Sequence, residues 1–441
     1  MRRLIPFLVV LGLAGCSFRS ADAPGIITIE VAVFEGGFGL DWHRSVAREY
    51  EKLNPNIRVN LWGDPRVDEK IRPRILRGSP PDLASCSLPI WKLIVAEKLV
   101  PLDAALDSPA YGQGRTWRQT LAPGITADFQ HEGQVYALPA ARGAWVCWYD
   151  ARMFRKHGWK PPETWDEFMA LCDKIKKAGV HPIAFQGKYP NYAWYTLQCI
   201  YQRLVPFDQW YEMQDLKPGA FVQPDFVRAA EMLQEMSKAY HQPGSAAMSH
   251  MESQIEWASG RAALVFCGLW LKNEIKASTP DGFEMACFPV PSVLGGKGDQ
   301  KAIYSGGGEN FVVFSEGKRS TEAADFLKFM ISMESARKYV GMLDTLSPVL
   351  GSEQGVDISP ALKSAVAAIE KSSRSFNDRL STLYLGFSKG PLTALMGDLV
   401  NGRISPKEFG QKMEAAAESV RKDPEVYKPP ARGVPWANQP Q

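Results

Sequence analysis

Residues 26–34 (IITIEVAVF) form an apolar, β-branched run that predicts a strand. Residues 42–53 carry apolar positions at helical spacing and stop at Asn54-Pro55, so they predict a helix, with Asp41 as its cap. A second strand is expected over 57–62 and a helix over 67–77, closed by Gly78. Pro81-Asp82 then leads into a third strand ending near Ser85. This strand–helix–strand–helix–strand order predicts an α/β unit with a parallel sheet. A helix is expected over 88–99, then strands over 133–139 and 145–149. Thr164-x-x-Glu167 is a capping box that opens a helix running to about Lys177. Residues 192–240 are helix-rich, 262–266 and 283–288 read as strands, and Ser305-Gly306-Gly307-Gly308 turns into a strand over 310–314. Helices are expected over 321–333 and 334–343, and the C-terminal third is mostly helical, with a second capping box at Ser405-x-x-Glu408. No internal repeat interrupts the pattern.

The first residues obey another logic. Met1-Arg2-Arg3 is a basic start, and residues 4–14 (LIPFLVVLGLA) are apolar. A spanning helix needs about 20 apolar residues, so this stretch reads as a signal peptide, over 1–15. It ends in Leu13-Ala14-Gly15-Cys16, which resembles a bacterial lipobox. The resemblance implies cleavage before Cys16, acylation of its sulfur, and a lipidated tether over 16–25. An ordinary leader followed by a chance cysteine is the competing reading.

Composition narrows the function classes. Hydrophobic residues make up 45% and charged residues 22%, as in soluble globular proteins. Lys+Arg total 51 against 48 Asp+Glu, a net charge of +3, and Arg2 and Arg3 leave with the leader. So balanced a chain gives no electrostatic case for nucleic acid. The 13 Trp, 14 Tyr and 21 Phe supply rings for pockets as well as for a core. Beyond Cys16, the other six cysteines form no CxxC and sit in apolar contexts, as buried small hydrophobes do; pairing in an oxidising compartment is the alternative. The six His lack metal-ligand spacing, and neither a P-loop nor a dinucleotide fingerprint occurs, so no metal and no cofactor is expected. Gly386-Phe387-Ser388-Lys389-Gly390 matches GxSxG, but that chemistry takes a His later in the chain and the last is His250. The match reads as coincidence.

Several segments, in order, resemble the extracellular solute-binding proteins of ABC importers, in the carbohydrate-binding family that includes maltose-binding protein. They are Gly78-Ser79-Pro80-Pro81-Asp82-Leu83; Gly133-x-x-Tyr136-Ala137-Leu138-Pro139, continuing through Trp148-Tyr149-Asp150 to Pro161-x-x-Thr164-Trp165-Asp166-Glu167; Gly260-Arg261-Ala262-Ala263-Leu264 with Gly268-Leu269-Trp270; the glycines at 306–308; and Ser347-Pro348. Asp150 replaces the family's usual Asn, and the first loop, 35–39, is unusually rich in glycine. The resemblance implies a two-lobe periplasmic-binding-protein fold (type II) of α/β class, with a ligand cleft between hinged lobes. The N-terminal lobe would take 26–138 plus 303–345, and the C-terminal lobe 139–302 plus 346–441. It also implies a monomeric, non-catalytic receptor, outside the cytoplasm and held at the membrane through lipid on Cys16. That receptor would carry a carbohydrate to the transmembrane subunits of an ABC permease.

Sugars present apolar C–H faces and a rim of hydroxyls, which rings and polar groups match respectively. Trp270 ends a strand at the family's stacking position. Tyr192 and Trp194 open a helix where the family places an aromatic, and Trp145 follows a lobe crossing. Glu35 and Phe38 follow the first strand, and Cys86 and Ser87 follow the third, at carboxyl ends where open α/β sheets bind ligands. Gly307, Gly308 and Glu309 offer backbone N–H groups and a carboxylate, and Phe387 another ring. For each residue the competing role is core packing or a solvated loop. Arg142, beside a crossing, keeps an acidic sugar open as ligand. A secreted carbohydrate-active enzyme with paired carboxylates is the alternative function. A binding lobe used in sensing or adhesion is a third.

Overall fold

The computed structural model describes residues 25–85, 87–127, 129–305 and 310–429. In chain order the strands of its two larger sheets are β1 (Ile27–Phe34), β2 (Ile57–Asp64), β3 (Leu83–Ser85), β4 (Leu138–Pro139), β5 (Val146–Asp150), β6 (His181–Ala184), β7 (Ala262–Cys267), β8 (Met285–Pro289) and β9 (Asn310–Val313). The first sheet has the order β2-β1-β3-β9-β4 and the second β8-β5-β7-β6.

β1 pairs in parallel with β2, from Ile27 opposite Ile57 to Phe34 opposite Asp64, and with β3 on its other side. The predicted parallel unit is therefore present. β9 then adds antiparallel to β3, and β4 antiparallel to β9, so the whole sheet is mixed. Ile29, Val31, Ala32 and Val33 are fully buried, as expected of a strand covered on both faces. Pro139 lies on the sheet's edge strand, where a residue without an N–H is tolerated. Asp82 binds the layers together: its carboxylate accepts from the N–H of Glu30 in β1 and from the N–H of Arg319 ahead of helix Ser320–Met330, both at 2.8 Å. The Pro81-Asp82 turn is thus structural.

In the second sheet β5 lies antiparallel to β8 and β7, while β6 and β7 are parallel. Helix Trp165–Lys177 buries Trp165, Phe168, Leu171, Cys172 and Ile175 along one face. Its capping box is formed on both sides: Thr164 accepts from the Glu167 N–H, and Glu167 from the Thr164 N–H. The chain passes between the sheets from β4 to β5 and again from β8 to β9. A third stretch lies beside the first passage, where the Arg142 N–H donates to Leu346 O at 2.8 Å.

Three expectations change in detail. Asp41 is the first residue of helix Asp41–Leu53, behind Leu40, and makes no cap bond. The helix expected over 88–99 spans only Ile90–Val95, because Pro89 starts it and Glu97, at φ 55°, turns the chain out of it. The strand expected over 133–139 is split: Gln134–Val135 closes a hairpin on Gln130–His131 through Gly133 (φ 81°), and only Leu138–Pro139 joins the sheet. Cys147, Cys172, Cys199, Cys267 and Cys287 are free and buried, as small hydrophobes. Cys86 lies outside the described residues, as does Cys16.

Candidate functional site

A cavity of about 760 Å³ opens between the two sheets. The first side contributes Phe34 at the end of β1, Gly37 and Phe38 beyond it, Ser85, Ser87 and Leu88 at the end of β3, and Asn310. Apart from Asn310, which starts the antiparallel β9, these lie at carboxyl ends of parallel strands, where side chains and loops leave the sheet free of its own pairing. The opposite side contributes Asn191, Tyr192, Trp194 and Tyr195 from the first turns of helix Asn191–Leu204, then Trp270 and Glu274 beyond β7, and a wall from Ser381 to Thr393. A recess of about 130 Å³ shares Tyr195, Trp270 and Asn310 with the cavity and adds Trp145, Tyr304, Asn377 and Asp378.

Trp270 sits where it does because of Gly268. A Cβ at Gly268 would fall 2.0 Å from Trp270 Cζ3, so the ring folds back over a residue with no side chain. Half-buried, it faces the cavity while its edge rests on a ring cluster. Its centroid is 6.4 Å from that of Trp145, which lies 5.0 Å from Tyr195 and 5.7 Å from Tyr192; Tyr195 in turn lies 5.5 Å from Tyr304. The indoles behind the surface are tied down. Trp145 Nε1 donates to Thr196 Oγ1 at 3.0 Å and Trp194 Nε1 to Asp378 Oδ2 at 2.8 Å. Both rings are almost fully buried, so they support the wall and Trp270 presents it.

The electrostatics are those of a nearly neutral site. Burial pushes the Tyr192 hydroxyl well up and that of Tyr195 up to about 12, so both stay protonated and able to donate. Burial also raises the Asp378 carboxyl, against its bonds from Ser381, Trp194 and Gln198. Both Asp378 oxygens are occupied, Oδ1 by the Ser381 N–H at 3.0 Å and Oδ2 by Trp194 and the Ser381 hydroxyl. Desolvation raises Glu274 as well, opposed by Gln254 and His250. Among the described residues, no group of three or more His, Cys, Asp or Glu could hold a metal.

Of the residues proposed from sequence, the cavity brings together Phe38, Ser87, Tyr192, Trp194 and Trp270, with Trp145 in the recess. Glu35 is not in the lining: it is exposed, and its N–H continues the β1–β2 pairing to Asp64 O at 3.3 Å. Phe387 is core, with its ring 6.1 Å from Phe221. Leu385, Ser388, Lys389 and Leu392 line the cavity at helical spacing, which turns Phe387 to the opposite side. Arg142 is not in the lining either. Cys86, Gly307, Gly308 and Glu309 lie outside the described residues. Sequence reasoning missed Phe34, Gly37, Tyr195 and Glu274. The last was within reach, since it stands four residues past Trp270 on the same helical face.

The GxSxG segment does line the cavity, with its serine hydroxyl turned to backbone carbonyls. Ser388 Oγ donates to the carbonyls of Ser381 (3.0 Å) and Leu385 (3.2 Å), and no His is among the described lining residues. Paired-carboxylate hydrolysis finds no support either. The described carboxylates at the cavity and recess are Glu274 and Asp378, and Asp378 is spent on its donors.

Residues 39–337 match the family described as bacterial extracellular solute-binding protein. The chain belongs to this family. As a solute-binding protein it is 25% identical over 318 residues to the diacetylchitobiose binding protein NgcE of Streptomyces coelicolor, a match covering 71% of this chain and 67% of NgcE. It is 24% identical over 341 residues to the melibiose/raffinose/stachyose-binding protein MelE of Bacillus subtilis, covering 75% and 76% of the two chains. Its fold is shared with apo RafE from Streptococcus pneumoniae at a TM-score of 0.72 and 18% identity, over 90% of this chain and 98% of that one. It is shared also with a chitin oligosaccharide binding protein at 0.74 and 19%, over 89% and 98%. The two-lobe fold expected from sequence is therefore the fold of this solute-binding protein, and the family places it outside the cytoplasm.

Proposed function

We propose that this solute-binding protein captures a neutral mono- or oligosaccharide in the cavity between its sheets and delivers it to an ABC permease, tethered to the membrane by lipid on Cys16. The observation that carries the sugar reading is Trp270. It is a half-buried indole held over Gly268, and its exposed face opens into a cavity whose lining includes rings, amides and hydroxyls. The relatives' named ligands, diacetylchitobiose and the raffinose series, are of the same chemical class. The sheet memberships of β1–β3 and β9 on one side and of β5–β8 on the other support a division into 26–138 plus 303–345 and 139–302 plus 346–441, with β4 lying across the boundary at 138/139.

A panel of diacetylchitobiose, melibiose, raffinose, stachyose and xylobiose tests this. At 100-fold its Kd a true ligand adds about 2.7 kcal/mol of stability by mass action. At least one panel sugar should raise the melting temperature and shrink the scattering radius together, as hinge closure requires. Stabilisation at constant radius would mean a rigid site and would count against an importer receptor. For the tether, intact protein should partition into membranes and Cys16→Ala should not; equal partitioning would remove the lipid.

A further inference from the structure

Glu274 is the described carboxylate of the main cavity, and Lys389 on the 381–393 wall is the other charged side chain in its lining. Glu274 lies one helical turn beyond Trp270. Its Oε2 accepts from Gln254 Nε2 at 2.6 Å, and Gln254, on helix His250–Ala258, is itself 1% exposed. That buried amide fixes the direction of the carboxylate. Across the cleft stands Gly37, from the loop beyond β1. A Cβ there would lie 3.0 Å from Glu274 Cγ and 3.5 Å from Oε1, so the two sides of the cleft meet at this pair, and a larger residue at 37 would push Glu274 away. No Lys or Arg among the described residues forms an ion pair with this carboxylate. A half-buried carboxylate so placed has unfilled acceptor capacity, and in its ionised form it strengthens any hydrogen bond it receives.

We propose that Glu274 is a specificity-determining residue of this cleft: its Oε1 accepts from a hydroxyl of the sugar stacked on Trp270, in a position completed only when the opposite loop has closed onto it at Gly37. The inference rests on the sugar-binding reading. One side chain then senses both the ligand and the opposing lobe, which couples recognition to closure. Neutral amides and hydroxyls at Asn191, Ser87 and Asn310 share the lining, so the matching ligand is polyhydroxylated.

Titration calorimetry with diacetylchitobiose, melibiose, raffinose, stachyose and xylobiose on the mature protein comes first. If the wild type binds none of them, the sugar reading falls and this inference with it. For a sugar that binds, Glu274→Gln should raise Kd roughly 10- to 100-fold, while the melting temperature without sugar stays that of the wild type. An unchanged Kd overturns the proposal and leaves the sugar reading intact. An equal loss of unliganded stability assigns Glu274 to the fold and also overturns it. Gly37→Ala should weaken binding and reduce compaction in the wild-type background, yet add little to Glu274→Ala, because the contact it disturbs is already gone. Fully additive effects would show that the two residues do not act together.

Discussion

On the wall beyond the second sheet, ring lies against ring: Trp145, Tyr192, Tyr195 and Trp270 lock one another, and their polar tips are largely spent on protein partners. The wall beyond the first sheet is built from strand ends and a glycine loop, with Phe34, Gly37, Phe38 and Ser87 around it. Phe38 alone among these rests on a ring of its own core, edge-on to Tyr339 at 6.0 Å. The difference separates two tasks. A packed aromatic surface holds a sugar face at little entropic cost, because its side chains are ordered before the ligand arrives. A loop with no side chain at its tip can close against that surface without repacking.

The sharpest way to break this comparison uses two tryptophans of the same wall. Trp194 is 1% exposed and anchored to Asp378, so Trp194→Ala should cost about 3–5 kcal/mol of folding stability in denaturant unfolding. Trp270→Ala should put its damage elsewhere: about 1–3 kcal/mol of binding, or 5- to 150-fold in Kd, with a far smaller loss of stability. A Trp270→Ala protein that melts far below wild type yet binds normally when folded would make Trp270 core and erase the distinction. Gly268→Ala sharpens it further. The indole is retained but displaced by a Cβ 2.0 Å from its ring, so affinity should fall by about tenfold with tryptophan content unchanged.

The smallest effect belongs to the first lobe, away from the cleft. Arg74 holds Glu30 through paired bonds of 2.6 and 2.8 Å and keeps its carboxyl below the usual range, despite partial burial. A lowered folded value means stability that is full above the unfolded value near 4.3 and is lost as pH falls through the folded one. Glu30→Gln should remove on the order of 1 kcal/mol at pH 7, and less below pH 4, in urea titrations at both pH values, and leave Kd alone. A change in affinity would tie this ion pair to the cleft.

Local signals carried much of the fold. The β-branched run of β1, the Thr164–Glu167 capping box and Gly78 (φ 66°) each act within a few residues, and each is where the sequence places it. The ordered motifs identified the family because their residues do backbone work, as Asp82 does between β1 and Arg319. Site residues were less legible. Trp270 and Tyr192 are visible because they follow a strand or open a helix. Gly37 and Tyr195 are not, because their importance depends on what faces them from segments far along the chain; Glu274 is legible only through its spacing from Trp270. Phe387 shows the opposite error: a ring beside a cavity segment, turned away by helical phase.

By itself the sequence determined the elements, the leader pattern, the family and the wealth of rings, since propensity, periodicity and turn chemistry act over short distances. Which ring faces the cavity and which is buried behind it was decided only in the folded protein. Gly268 and Gln254, close in the chain, set the direction of Trp270 and Glu274. Asp378 anchors Trp194 from 184 positions away, and Gly37 meets Glu274 from the other side of the cleft. Burial and facing partners are properties of packed surfaces, and those exist only once the two sheets have formed and come together.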